Sequence, residues 1–110
     1  MAEEERQSKL TSKERAALRG EAHHLDALVH VGKEGITPSL LGSLDDALRT
    51  HELVKVQLTK NAELDAKSAA RELSTALDAD VVQVIGRTTT LYRENRDLPR
   101  KKGDVPPWRE

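Results

Sequence analysis

Apolar residues recur along this chain with two alternating spacings, and this alternation is the feature that most limits how the chain can fold. Apolar residues three and four apart, which predict a helix, alternate with short β-branched or every-second-residue runs, which predict a strand. The predicted order is helix, strand, helix, strand, helix, strand, strand. The expected positions are about 12–24, 27–31, 37–51, 53–59, 65–79, 81–85 and 88–93. A chain of 110 residues is long enough for one modest core, so we expect a single α/β domain.

The starts of two helices are marked by capping residues. Thr11 and Glu14 have the spacing of a capping box, in which a hydroxyl and a carboxylate each accept a hydrogen bond from a free amide. Thr37 followed by Pro38 predicts another start, because threonine caps the first-turn amides and proline loses no needed donor there. The third helix is rich in alanine, which favours close packing against a sheet.

The strand signals predict the topology of the sheet. Segment 53–59 alternates apolar and polar residues, so one of its faces should be exposed to solvent. Gly86-Arg87 separates the last two strands by the length of a tight hairpin turn. Two strand–helix–strand units give parallel pairings between consecutive strands, and the hairpin adds one antiparallel strand. We therefore expect a two-layer α-β-α-β-α-β-β domain with a mixed four-stranded sheet.

The composition excludes several classes of protein. No cysteine is present, which excludes disulfide and thiolate–metal scaffolds. Tyr92 and Trp108 are the only members of the Phe, Trp and Tyr set, which argues against a fold that stacks bases on aromatic side chains. The acidic N-terminal sequence has no apolar run and no window approaches a membrane span, so we expect a cytoplasmic protein. Residues 1–9 are expected to be a disordered tail, and residues 99–110 a flexible basic and proline-containing tail.

The net charge of -1 hides an uneven distribution of charge. Segment 87–102 carries six basic residues against two acidic ones, whereas 61–80 carries two basic residues against five acidic ones. In the first helix, Arg15, Arg19 and His23 follow at four-residue intervals and therefore share one stripe. A basic face and an acidic face are expected on one molecule.

A loop bounded by glycines, Gly32-Lys33-Glu34-Gly35, lies between the first strand and the second helix. Glycines permit positive φ angles and let another backbone approach without a Cβ in the way. The amino end of the following helix presents free amides and the positive end of its dipole, which suit an anion. The sequence therefore predicts that a phosphate can approach this loop and pair with Lys33.

The glycine spacing separates this loop from other phosphate-binding loops. The P-loop needs four residues between its glycines, and the dinucleotide fingerprint needs a third glycine, so neither matches. The remaining analogue is the GxxG loop of KH-type RNA-binding domains, which clamps a nucleic-acid backbone. A plain strand-to-helix turn explains the four residues equally well when they are taken alone.

Catalytic and metal sites have little support in the sequence. The four histidines form no i, i+4 pair, no HExxH motif is present, and His23 and His24 are expected to point in different directions. Asp45 and Asp46 are predicted on the outer, solvated face of the second helix. No serine or cysteine nucleophile motif is found. We therefore expect a protein that is not an enzyme and that holds no metal or cofactor.

Several motifs in fixed order resemble the CRM domain, and specifically the small bacterial YhbY family. They are the arginine- and leucine-containing first helix that leads into Ala22-His23, the loop Gly32 to Gly35, the run His51-Glu52-Leu53-Val54-Lys55-Val56, and Val84-Ile85-Gly86-Arg87 ahead of Leu91-Tyr92-Arg93. The resemblance covers about residues 10–98, which defines the expected domain.

The resemblance implies a fold similar to the C-terminal domain of translation initiation factor three. It also implies RNA binding through the loop and the adjoining basic surface, and association with precursors of the large ribosomal subunit during assembly. Neither a small-molecule substrate nor a membrane is implied, and we expect a monomer. The RNA-binding residues carried over by position are the loop residues Gly32, Lys33, Glu34 and Gly35, the flanking helix residues Arg15, Arg19 and His23, and the supporting charges Lys55 and Arg87.

Two positions depart from the family pattern. Ala27 stands where the family commonly has proline, which should only loosen the entry to the first strand. Glu34 places a carboxylate in a loop that should meet phosphate, and like charges repel. We expect the Glu34 side chain to point to solvent.

The rival hypothesis is a protein-interaction domain. In this interpretation the alanine-lined third helix or the hairpin edge docks a partner, and the glycine loop is only a turn.

Overall fold

The computed structural model describes residues 10–94, which form three helices and four strands. The helices are α1 (Ser12–Ala22), α2 (Pro38–His51) and α3 (Ala66–Leu77). The strands are β1 (Ala27–Val31), β2 (Leu53–Leu58), β3 (Asp80–Ile85) and β4 (Thr88–Tyr92). The order and type of all seven elements agree with the prediction, and the α/β class is confirmed. The predicted tails and the last residues of the predicted 10–98 domain lie outside the described residues.

The predicted caps are present at the helix starts. Thr11 Oγ1 accepts a hydrogen bond from the Glu14 amide at 3.0 Å, and the Glu14 carboxylate accepts one from the Thr11 amide at 2.9 Å. Thr37 Oγ1 accepts from the Leu40 amide at 3.1 Å at the start of α2. Each bond satisfies an amide that has no partner within its own helix, which is why the helices begin at these residues.

Two helices end slightly earlier than the apolar pattern suggested. α1 ends at Ala22 rather than near residue 24, and the Leu25 amide then turns back to the Ala22 carbonyl at 2.9 Å. α3 ends at Leu77, because Asp78 adopts a left-handed conformation with φ of 53°. The turn after each helix therefore lies inside the segment that the periodicity assigned to it.

The four strands form one mixed sheet in the order β1-β2-β4-β3. β1 and β2 are parallel, as predicted, and β4 is antiparallel to both β2 and β3. The predicted parallel pairing of β2 with β3 is wrong, because β4 lies between them. A crossover fixes the direction of the next strand but not its adjacency, and the hairpin folds β4 into the gap. β4 is buried at four of its five positions, as suits a central strand, whereas Ile85 at the end of β3 is 62% exposed.

The sheet carries helices on both faces. α2 and α3 cover one face, over a core that includes Val54, Val56, Leu44 and Leu73. Ala69 and Ala70 of α3 are buried on this side, as the sequence predicted, whereas Ala76 is exposed. The domain therefore has three layers rather than the predicted two, because α1 packs on the other face. α1 lies on the opposite face and covers a smaller core, whose members are Leu18, Ala22, Leu53, Val82 and Tyr92. Because α1 covers only part of this face, the rest of it is open to solvent.

No helix within residues 10–94 is both long enough and apolar enough to span a membrane.

Candidate nucleic-acid interface

The glycine-bounded loop forms a hydrogen-bonded turn at the carboxyl end of β1. The Gly35 amide donates to the Gly32 carbonyl at 3.0 Å, which closes a four-residue β-turn. Gly35 has φ of 72°, a left-handed conformation that favours glycine. Lys33 and Glu34 lie at the exposed tip of this turn, so the Glu34 side chain meets solvent as predicted.

Two backbone N–H groups at the tip of the turn are available to a ligand. The amides of Lys33 and Glu34 make no hydrogen bond to any residue in 10–94. The start of α2 contributes less than the sequence suggested, because Leu40 donates to Thr37 and Pro38 has no amide hydrogen. Of the first three helical residues, only Ser39 keeps an N–H that bonds to no residue of 10–94. The donors are therefore concentrated in the loop rather than in the helix.

Gly32 has a different role from Gly35. Its φ is not in the left-handed region, and a Cβ added to it would lie 3.8 Å from Thr59 Oγ1, an ordinary van der Waals contact. Folding therefore does not require glycine at position 32. The missing side chain instead leaves the surface of the turn open to another molecule.

A neighbouring loop supports the turn. The Thr59 amide donates to the Val31 carbonyl at 2.9 Å, which joins the segment after β2 to the residue before the glycine loop. The Arg87 guanidinium donates to the carbonyls of Leu58 at 3.3 Å, Thr59 at 2.6 Å and Ala62 at 3.5 Å. Arg87 thus positions the loop that flanks the turn, which fits the expected supporting role better than direct contact with a ligand.

The charges along this edge of the sheet are nearly balanced. Lys60 follows β2 and adds a second exposed ammonium at the same edge of the sheet as Lys33, and sequence reasoning missed it. It could have been found, because the carboxyl ends of adjacent parallel strands meet at the same edge. Glu63 and Asp65 lie on the same connecting segment. Hydrogen bonds from Ser68 lower the pKa of Asp65, which therefore stays ionised at neutral pH.

A groove lies between α1 and the open part of the sheet. Its volume is about 490 Å³, and we call it the sheet groove; it is lined by Arg19, Gly20, Ala22, His23, Lys55, Gln83, Ile85, Thr88 and Thr90. No aspartate or glutamate of residues 10–94 lines it. The side chains of Arg19 and Lys55 make no ion pair or hydrogen bond within residues 10–94. The positive charge of the described residues is therefore less compensated in this groove than at the glycine loop.

The structure thus divides the predicted site residues into two groups. Gly32, Lys33, Glu34 and Gly35 lie with Arg87 at one edge of the sheet, whereas Arg19, His23 and Lys55 line the sheet groove. The strand β2 links the two groups. Lys55 of the groove and Thr59, which bonds to the residue before the glycine loop, are four residues apart, or roughly 13 Å along the strand direction. Arg15 lies one turn before Arg19 on α1 and does not line the groove. Sequence reasoning did not select Gln83, Thr88 or Thr90, because their shared face depends on the position of β4.

The histidines do not form a metal centre among residues 10–94, where no group of three or more potential ligands is close enough to hold an ion. The prediction that His23 and His24 point in different directions is wrong. Their rings meet edge to face with centroids 5.5 Å apart, because the helix ends at Ala22 and both lie beyond it.

These features define a small α/β domain that presents a glycine-bounded turn with free backbone amides next to a cationic sheet face. Residues 10–93 match the family model of the CRS1/YhbY (CRM) domain. The chain belongs to this family.

Comparison with known proteins gives relatives that span nearly the same length. The chain is 36% identical over 88 residues to YqeI of Bacillus subtilis, named as a probable RNA-binding protein, covering 80% of this chain and 92% of that protein. It is 35% identical over 100 residues to an RNA-binding protein of Haemophilus influenzae, covering 84% of this chain and 97% of that one. The solution structure of SAV1595 from Staphylococcus aureus, for which RNA binding has been suggested, matches with a TM-score of 0.69 and 39% identity, covering 80% of this chain and 92% of that chain.

Proposed function

We propose that this chain binds RNA and that the glycine loop receives the sugar–phosphate backbone. The observation that carries the proposal is the pair of free amides of Lys33 and Glu34 at the tip of an exposed turn. Backbone N–H groups and a nearby ammonium are suitable donors to phosphate oxygens. The names of the relatives as RNA-binding proteins support the same class of ligand.

The adjoining basic surface extends this contact across the sheet. Arg19 and Lys55 carry charges that no residue of 10–94 neutralises, and they lie on the face next to the loop edge. The cellular target that we propose is the RNA of precursors of the large ribosomal subunit, during assembly. This target follows from the family resemblance rather than from the geometry of the loop.

The dependence of affinity on salt tests the proposed RNA binding. Each phosphate that the protein neutralises releases counterions, so the affinity for a fragment of large-subunit ribosomal RNA should fall steeply as salt rises. The slope on a double-logarithmic plot gives the number of phosphate contacts. An affinity that does not change with salt would exclude a backbone-binding surface.

The proposed target needs a separate experiment in cells. Crosslinking the protein to RNA, followed by sequencing of the attached RNA, should recover large-subunit ribosomal sequence. Sedimentation of the same lysate should place the protein with particles lighter than the mature large subunit. Recovery of unrelated RNA would leave RNA binding intact and contradict the ribosomal role.

A second candidate is a protein-interaction domain. The form in which α3 docks a partner is weakened, because Ala69 is fully inaccessible and Ala70 is 3% exposed. The large apolar side chains that are exposed within residues 10–94 are Leu25, Leu28 in the edge strand β1 and Ile85 at the end of β3, so the hairpin-edge form of this candidate keeps an apolar surface. Leu28→Ser should leave RNA affinity unchanged under the first proposal, whereas loss of a captured protein partner would support the second.

A further inference from the structure

The floor of the sheet groove is built from polar side chains with unused hydrogen-bonding groups. We call Gln83, Thr88 and Thr90 the polar floor. Thr90 is only 3% exposed, yet its hydroxyl makes no hydrogen bond to any residue of 10–94, and it lines the groove. The side chains of Gln83 and Thr88 also make none. Because these side chains line the groove and bond to no residue of 10–94, the floor is suited to a ligand with donors and acceptors of its own.

The strand register arranges these groups in a row that suits one planar polar molecule. Lys55, Thr90 and Gln83 are direct neighbours across β2, β4 and β3. Two strand spacings separate the first from the last, which is about 10 Å. Thr88 and Ile85 form the next row towards the glycine loop. The exposed side chain of Ile85 gives the groove an apolar wall beside its polar floor.

The charge of the groove selects an anionic occupant. Arg19 of α1 and Lys55 of β2 both line the groove, and no carboxylate of residues 10–94 lines it with them. Both cations would attract a phosphate. An apolar protein segment would have to desolvate both cations without pairing them, which costs free energy.

We propose that the sheet groove holds one unpaired nucleotide of a single-stranded RNA segment. The phosphate lies against Arg19 and Lys55, and the edge of the base bonds to the polar floor. This inference rests on the proposed RNA binding and adds a second contact, because the loop receives backbone while the groove receives a base. Bases in a duplex have their edges paired and cannot enter, whereas unpaired bases can be splayed into a pocket.

Two glycines provide a matched test of the groove. Gly20 lines the groove on α1, and a Cβ added to it would meet no atom within 4 Å. Gly42 lies on α2, on the other side of the sheet, and its Cβ would also meet no atom within 4 Å. The Cβ of a leucine at position 20 therefore fits without a clash and its longer side chain is expected to narrow the groove, and Gly42→Leu makes the same chemical change away from it. Both variants should fold at least as well as the parent, because leucine is a better helix former than glycine.

The experiment measures the affinity of the full chain for a labelled single-stranded RNA of about 20 nucleotides and for a duplex of the same sequence. The parent should prefer the single strand. Gly20→Leu should weaken single-strand binding by at least about fivefold. Thr90→Val should also weaken it, because valine keeps the shape of threonine but lacks the hydroxyl. Gly42→Leu should bind as the parent does.

Other outcomes separate the groove from the loop. If Gly20→Leu and Thr90→Val both bind the single strand as tightly as the parent while Gly32→Ala binds weakly, the groove proposal is overturned and the loop proposal stands. If Gly20→Leu binds weakly and Gly32→Ala does not, the groove proposal stands and the loop proposal fails. Equal affinity of the parent for the single strand and the duplex would also overturn the groove proposal. A parent that binds neither RNA would overturn both proposals.

Discussion

The Arg93 guanidinium donates to the Asp45 carboxylate at 2.9 Å, which ties the end of β4 to the middle of α2. The same guanidinium donates to the Leu77 carbonyl at 2.9 Å and to the Asp45 carbonyl at 3.2 Å. One side chain thus joins two helices to the central strand. The Arg93 side chain is 21% exposed, so these bonds are largely shielded from water.

Arg93→Ala should destabilise the domain. The change removes the Arg93 donor from two carbonyls and from the Asp45 carboxylate, and we expect the free energy of unfolding to fall by about 1–3 kcal/mol. Chemical denaturation measures it. Arg49→Ala is the matched control, since Arg49 also pairs with Asp45 but its side chain is 61% exposed, and it should leave the denaturation midpoint unchanged. Equal effects of the two changes would contradict the role given to Arg93.

The two glycines of the loop should respond differently to alanine. Gly32→Ala meets no clash and no left-handed φ, so its thermal midpoint should match or exceed that of the parent while RNA affinity falls. Gly35→Ala must hold alanine at φ of 72° and should lose about 1 kcal/mol of stability. Calorimetry and RNA binding on both variants measure the two properties separately. If Gly32→Ala loses stability and keeps affinity, the glycine serves the fold alone.

Lys33→Ala should reduce the salt dependence of RNA binding. Removal of one phosphate contact to a single strand lowers the slope of log affinity against log salt by about 0.7. Arg49→Ala removes the same charge at the far end of α2, roughly 17 Å along the helix from its start, and should leave the slope unchanged. An equal change of slope in both variants would show that only the net charge matters.

Asp65 should contribute to the acid sensitivity of the fold. Its carboxylate caps α3 by accepting from the Ser68 amide at 2.7 Å, and bonds from Ser68 lower its pKa below the ordinary value of 3.8. A lowered pKa means that the stabilisation is present above pH 3.8 and is lost as the pH falls through the folded-state value. Asp65→Asn keeps a cap at every pH, so its thermal midpoint should fall less than that of the parent between neutral and strongly acidic pH. If the thermal midpoints of the variant and the parent depend on pH in the same way, Asp65 does not contribute to the acid sensitivity of the fold.

Local patterns in the sequence predicted the elements but not how the strands are ordered. The capping residues Thr11 and Thr37 act within three residues of themselves, so their effect is visible in the chain. The place of β4 between β2 and β3 depends on contacts between distant segments. Adjacent strands in the chain were therefore assumed to pair, and one of the two predicted parallel pairs is absent from residues 10–94.

The candidate site, like the fold, was predictable where it depends on neighbouring residues and not where it depends on distant segments. The Gly32–Gly35 turn is local, and its spacing in the sequence was sufficient to identify it. The role of Arg87 as a donor to three carbonyls depends on the path of residues 58–62, which no spacing reveals. The sheet groove required the placement of α1 on the second face, because Arg19 and Lys55 are far apart in the chain.

The central claim is that the backbone amides of the glycine loop receive RNA, and amide NMR during an RNA titration tests it most directly. The free amides of Lys33 and Glu34 should show the largest shifts among residues 10–94, whereas the Gly35 amide, which already donates to Gly32, should move less. If RNA saturates the protein and the amides of Lys33 and Glu34 do not shift, the loop does not bind the backbone.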